Sequence, residues 1–125
     1  MDGWSIQEVS KKTGLSVHTL RYYERIGLMD YIARTDSGRR TYSEHDLEWL
    51  TLLTNLRSTG MAIKDMQHFA EMVRNGEATI PDRRKLLEAH QQKLEKQLEG
   101  IERTLAIMEK KISVYRSWEE SLGTT

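Results

Sequence analysis

One spacing in the C-terminal third of the chain constrains the fold more than any other. Ile80, Leu87, Leu94, Ile101, Met108 and Tyr115 recur every seven residues, and Leu98, Leu105 and Ile112 fill the interleaved position. A helix with that repeat carries a narrow apolar stripe along one side, the register of a coiled coil. Arg84 and Gln91 interrupt the second stripe, so the tight seam is expected from Leu94 to Tyr115. Thr79 can cap the helix, Pro81 suits its first turn and Asp82 its positive end. Gly100 lies off the seam and weakens the helix by about 1 kcal/mol relative to alanine without stopping it. From Pro81 to Trp118 such a helix reaches about 57 Å at 1.5 Å per residue, more than the shorter helices before it can cover. Its expected cover is the same helix of a second copy, with Leu87, Leu94, Leu98, Ile101, Leu105, Met108, Ile112 and Tyr115 at the homodimer seam. The flanking charges, among them Lys93, Glu95, Lys96, Glu102, Arg103 and Lys110, read as a solvated face and do not distinguish parallel from antiparallel pairing. Residues 119–125 are expected to fray.

The chain has no cysteine, which removes disulfides, thiolate metal sites and thiol redox chemistry together. No apolar run approaches a membrane span, and Met1-Asp2-Gly3-Trp4 does not open a signal peptide, so a cytoplasmic protein is expected. Net charge is zero, which argues against a generally basic nucleic-acid coat. Residues 1–42 nevertheless hold seven Lys or Arg against five acids, so any DNA-binding surface must be local.

The first quarter of the chain supplies a candidate for that surface. Ser5-Ile6-Gln7-Glu8 has capping-box spacing, with Trp4 and Val9 placed as a hydrophobic staple, and a short helix is expected from Ile6 to Thr13. Gly14 ends it, and Ser16 caps a second helix within two residues. The two helices must then turn sharply on Ile6, Val9, Leu15, Val17 and Leu20, the sequence form of a helix-turn-helix, whose second helix enters the major groove. With Leu20 at the core, His18, Tyr22 and Arg25 project outward and Arg21 and Thr19 lie at the margins. Gly27 permits the left-handed backbone that closes a helix. Taken alone, this stretch is equally a surface helix with ordinary solvated charges.

Its surroundings favour the first reading. Tyr31-Ile32-Ala33-Arg34 and Arg39-Arg40-Thr41-Tyr42, separated by Thr35-Asp36-Ser37-Gly38, read as a small β-hairpin, a wing beside the helix-turn-helix. Arg34, Arg39 and Arg40 sit near its tip, where phosphate oxygens can be met, although arginines on a hairpin also serve only to protect an edge. Ser43 to Arg57 is a capped third helix with Leu47, Leu50, Leu53 and Leu56 as its buried stripe. A fourth runs over about 62–74 with Ile63, Met66, Phe69, Ala70 and Val73 on one side, and Ala62 offers it no side-chain cap. The division expected is 1–75 for a winged helix-turn-helix domain with its helix pair, 79–118 for the dimer helix and 119–125 for a tail.

Catalysis finds little support. His18, His45, His68 and His90 form no His-x-x-x-His pair, there is no Gly-rich phosphate loop, and no cofactor or metal site is expected.

The order helix-turn-helix, wing, helix pair and long helix resembles the MerR family of bacterial transcriptional regulators. So do Leu20-Arg21-Tyr22-Tyr23-Glu24-Arg25-Ile26-Gly27-Leu28, Arg39-Arg40-Thr41-Tyr42 and Leu56-Arg57-Ser58-Thr59-Gly60-Met61. The resemblance implies a mostly α fold, and a homodimer held by an antiparallel coiled coil on a pseudopalindromic promoter. The dimer would kink and untwist the promoter spacer for RNA polymerase in response to an effector. It implies that Arg21 and Tyr22 contact DNA, with Val17, His18 and Thr19 toward base edges and Ser16 also in the DNA-binding set. Arg39, Arg40 and Tyr42 would approach the backbone from the wing. Tyr42 is also the staple of the third helix, and both roles fit a packed ring with an outward hydroxyl. The short members linked to aldehyde or nitrosative stress are the most similar; they often carry one reactive cysteine where Asn55 stands here, which removes thiol switching. A small-molecule effector would have to lodge between the fourth helix and the partner's dimer helix, near Met66, Phe69, Met72, Tyr115 or Trp118, residues that read more readily as plain core. The alternative to a regulator is a coiled-coil scaffold that carries a degenerate helix-turn-helix.

Overall fold

The computed structural model describes residues 3–29 and 32–123, and its regular structure is helical: α1 (Ile6–Thr13), α2 (Val17–Arg25), α3 (Glu44–Ser58), α4 (Ile63–Arg74) and α5 (Ile80–Gly123), with a 3-10 turn at Glu77–Thr79. The starts of the first three helices are explained by local chemistry. Ser5 and Glu8 close a reciprocal capping box on α1, Ser43 and Asp46 do the same on α3, and the Ser16 hydroxyl accepts from Thr19 N on α2. Such caps contribute about 1 kcal/mol each. Helix α4 has Ala62 at its N-cap and therefore no side-chain cap, as its sequence requires.

The chain divides into two compact units, Met1–Leu86 and Leu87–Thr125. The first has its core on Val9 of α1, Leu20 and Tyr23 of α2, Leu50 and Leu53 of α3, and Met66 and Phe69 of α4, all buried. Leu28, Ile32 and Tyr42 bring the intervening segment into the same core. The expected boundary at 75–79 falls inside this unit. Thr79 Oγ1 donates to Met72 O, Arg83 Nε donates to Thr79 Oγ1 and Arg83 Nη2 donates to Gly76 O, which ties the first turns of α5 to the end of α4.

The wing is slighter than its sequence suggests. Among the described residues there are isolated antiparallel bridges instead of two strands, Arg34 with Arg40 and Trp4 with Tyr42. Thr35 N to Arg39 O and Thr41 N to Ala33 O, both 2.8 Å, hold the turn. The second arm leaves the hairpin because the Tyr42 backbone pairs with Trp4 and its ring enters the core. Tyr31, expected to begin the first arm, lies outside the described residues.

In the second unit, residues 119–123 continue the helix where fraying was expected. No proline or β-branched run breaks this end, and Ser121 Oγ bonds back to Ser117 O. Among the described residues no helix is long and apolar enough to cross a membrane.

Candidate nucleic-acid interface

Helix α2 is set at both ends. Ser10 Oγ of α1 donates to Leu15 O (2.6 Å) in the turn, and Ser16 caps the first turn. At the other end Gly27, at φ 85°, closes a Schellman motif. Leu28 N bonds Tyr23 O at 2.9 Å and Gly27 N bonds Glu24 O at 3.3 Å. Leu20 and Tyr23 anchor the inner face; burial holds the Tyr23 hydroxyl above the ordinary phenol range.

The outer face carries the expected residues. His18, Arg21 and Arg25 are exposed, and Val17, Thr19 and Tyr22 are half-buried beside them. The Ser16 hydroxyl donates to Thr19 Oγ1 (2.9 Å), which leaves the Thr19 hydrogen for another acceptor. The Arg25 guanidinium stands 5.4 Å from the Tyr22 ring centre, which holds the ring's orientation. The face therefore offers donors, one aromatic surface and two arginines, the groups that meet phosphates and base edges.

The wing residues divide. Arg39 is exposed, and Arg34 is exposed while its Nη1 donates to Gly38 O. Arg40 is not a free tip cation: its Nε donates to Glu24 Oε1 at 2.6 Å, with both side chains about four-fifths covered (23% and 22% exposed). The pair ties the second arm to α2. Tyr42 is 1% exposed and its hydroxyl has no hydrogen-bond partner among the described residues. The expected outward hydroxyl is thus corrected: the staple role draws the whole side chain inward, and burial raises its pKa, with the Glu24 carboxylate adding to the shift.

Three residues escaped sequence reasoning. Gln67 Nε2 donates to Ile26 O (2.9 Å), Arg74 Nη1 to Gly27 O (2.9 Å) and Trp49 Nε1 to Leu28 O (2.7 Å). They lie 41, 47 and 21 residues from their acceptors. Only Trp49 carried a signal, since an indole on a core-facing helix needs an acceptor.

On α5, Leu98, Ile101, Leu105, Met108, Ile112 and Tyr115 are all about half exposed, so the heptad stripe is uncovered in the single chain. The apolar surface also extends beyond the expected seam. Leu122 continues the seven-residue step from Tyr115 and is 76% exposed, and Trp118 lies edge-on to Tyr115 at 5.3 Å. Leu122 lies in the stretch expected to fray, which is helical here. A contiguous apolar surface of this length is an association face.

Comparison with known proteins agrees with this geometry. The model of the MerR HTH family regulatory protein matches residues 4–72, and a MerR DNA-binding model matches residues 47–110. An HTH-type transcriptional regulator of Haemophilus influenzae is 34% identical over 121 residues, covering 97% of this chain and 89% of the relative. The regulator YfmP of Bacillus subtilis is 34% identical, with 98% and 89% covered. Among solved structures, HiNmlR, described as a MerR family regulator lacking the sensor domain and bound to promoter DNA, superposes with a TM-score of 0.85 at 34% identity, over 93% of this chain and 92% of that one. The relatives are transcriptional regulators rather than enzymes.

Proposed function

The chain belongs to the MerR family of helix-turn-helix, DNA-binding transcriptional regulators, and from that premise we propose that it works as a homodimer on a pseudopalindromic promoter in the cytoplasm. The observation that carries the reading is the outward face of α2, where Arg21, Tyr22, Arg25, His18 and Thr19 gather on a helix fixed at both ends. Val17, His18 and Thr19 are placed toward base edges at the helix start. Arg21 and Tyr22 sit one turn on, and Arg39 reaches phosphate from the wing. Arg40 serves by holding the wing against Glu24, and Tyr42 by packing.

Two copies join through the α5 stripe in antiparallel fashion, which presents two copies of α2 to successive half-sites. Regulation then acts through DNA shape: the dimer bends and untwists the spacer so that RNA polymerase meets both promoter elements in register. The HiNmlR structure supports the DNA-bound state, since that protein is described on promoter DNA. In the first unit one cavity, lined by Leu28, Met29, His45, Asp46, Trp49 and Ala70, holds about 50 Å³, and another, lined by Lys12, Thr13, Thr51, Thr54 and Asn55, about 180 Å³. Ligand pockets usually run to hundreds of cubic ångströms.

The test is binding to a duplex selected by the wild-type chain from a random-sequence pool, followed by fluorescence anisotropy across a salt series. Affinity should fall linearly with salt on logarithmic axes, and Arg21→Ala should weaken binding by roughly 1–3 kcal/mol with little change in the thermal melt. A scaffold that does not bind DNA would enrich no sequence and show no salt dependence.

A further inference from the structure

The carbonyls that end α2 are held in an unusual way. A helix C-terminus leaves its last carbonyls unpaired within the helix, and at a surface water serves them well. Here the Schellman motif uses the carbonyls of Tyr23 and Glu24, and just past Arg25, the last residue of the helix, come the consecutive carbonyls of Ile26, Gly27 and Leu28. Each receives a side-chain donor from elsewhere in the first unit: Gln67 and Arg74 from α4, and Trp49 from α3.

We infer that Trp49, Gln67 and Arg74 form a three-point collar that sets the angle of the recognition helix. They are positioning residues for DNA binding that need not touch DNA, an inference that rests on the DNA-binding reading above. Three donors arriving from two helices on three successive carbonyls restrain tilt as well as position, which a single contact cannot do. The donors are themselves held. Trp49 stacks on the buried Phe69 at 5.6 Å with the rings within 8° of parallel, so its indole nitrogen has one direction to offer. Arg74 adds a positive charge at the negative end of the helix dipole.

The lever is short but sufficient. Helix α2 has nine residues and is therefore about 13 Å long, so each five degrees of tilt about its C-terminal end moves Val17 and His18 by roughly 1 Å. Base-edge hydrogen bonds do not survive such displacement, whereas phosphate contacts by long arginines do. Loosening the collar should therefore lower the fraction of molecules with α2 in the binding angle, and apparent affinity falls by that fraction.

The experiment compares Gln67→Met, Trp49→Phe and Gln67→Lys with wild type, each on the selected duplex and on a scrambled duplex of equal length, across salt. Met removes the amide donor at nearly constant size, Phe removes the indole N–H but keeps a ring against Phe69, and Lys restores a donor at position 67. The first two should weaken binding to the selected duplex about three- to tenfold each, the scale of one lost hydrogen bond. Binding to the scrambled duplex and the salt slope should be unchanged, and Gln67→Lys should recover most of the loss. Equal losses on both duplexes would mean fewer folded molecules rather than a turned helix, and would overturn the collar, as would unchanged affinity for the selected duplex. A wild-type chain that fails to distinguish the two duplexes overturns the DNA-binding reading itself, and the collar's role with it.

Discussion

Replacing Leu105 by alanine tests the dimer where its stripe is continuous. Leu105 is 58% exposed in the single chain, between Ile101 at 57% and Met108 at 51%. Alanine removes three carbons, each worth about 0.8 kcal/mol on full burial. Scaled to the 58% that a partner helix could still cover, the loss is about 1.4 kcal/mol per copy. A dimer contains the site twice, so the total is about 2.8 kcal/mol, or roughly a hundredfold rise in the dimer dissociation constant. Lys110→Ala is the matched control, being exposed on α5 and off both stripes. At no more than about 0.5 kcal/mol per copy it should change the constant less than about fivefold. Sedimentation equilibrium over a dilution series reads both constants directly. Should Leu105→Ala dissociate no more readily than Lys110→Ala, the register argument fails, whatever the oligomeric state of the wild type.

Two further outcomes follow from the first unit. Tyr42→Phe removes a buried hydroxyl with no hydrogen-bond partner among the described residues, so its melting temperature should equal or exceed that of wild type, with affinity for the selected duplex unchanged. Reduced affinity at unchanged stability would return Tyr42 to the DNA surface. The same hydroxyl is raised above the ordinary phenol value by burial, so the folded state keeps a proton that the unfolded chain loses near pH 10. Its contribution is complete below about pH 10 and is lost as pH rises toward the folded value, so wild type should lose stability on the alkaline side more steeply than Tyr42→Phe. Gly27→Ala meets nothing closer than Arg74 Nη2 at 3.9 Å, so its cost is the left-handed backbone alone. Urea denaturation should show a loss of roughly 1–2 kcal/mol; an unchanged midpoint would contradict the helix-end geometry.

Where sequence and structure part, range along the chain is the reason. Position on the hairpin groups Arg40 with the wing cations, but its partner, Glu24, is sixteen residues away on another element. Tyr42 had two readings because spacing can place a staple yet cannot say how deeply a ring sinks. The wing's arms had suitable residues, but the backbone of Tyr42 found Trp4 instead of the facing arm. The end of α5 differs for a local reason: no breaker interrupts 119–123, so the helix runs on where a chain terminus would be expected to fray.

What the sequence by itself determined lies within about four residues or repeats at a fixed step: the caps at Ser5, Ser16 and Ser43, the missing cap at Ala62, the turn at Gly27 and the α5 stripe. Cap and turn chemistry closes over one helical turn, and a heptad repeat needs no knowledge of what it meets. Only the tertiary structure decided which arginine is free and what holds the recognition helix. The Glu24–Arg40 pair and the donors of Trp49, Gln67 and Arg74 join groups between 16 and 47 residues apart. Such pairings exist only after the core has brought the helices together, because nothing local favours one distant acceptor over water.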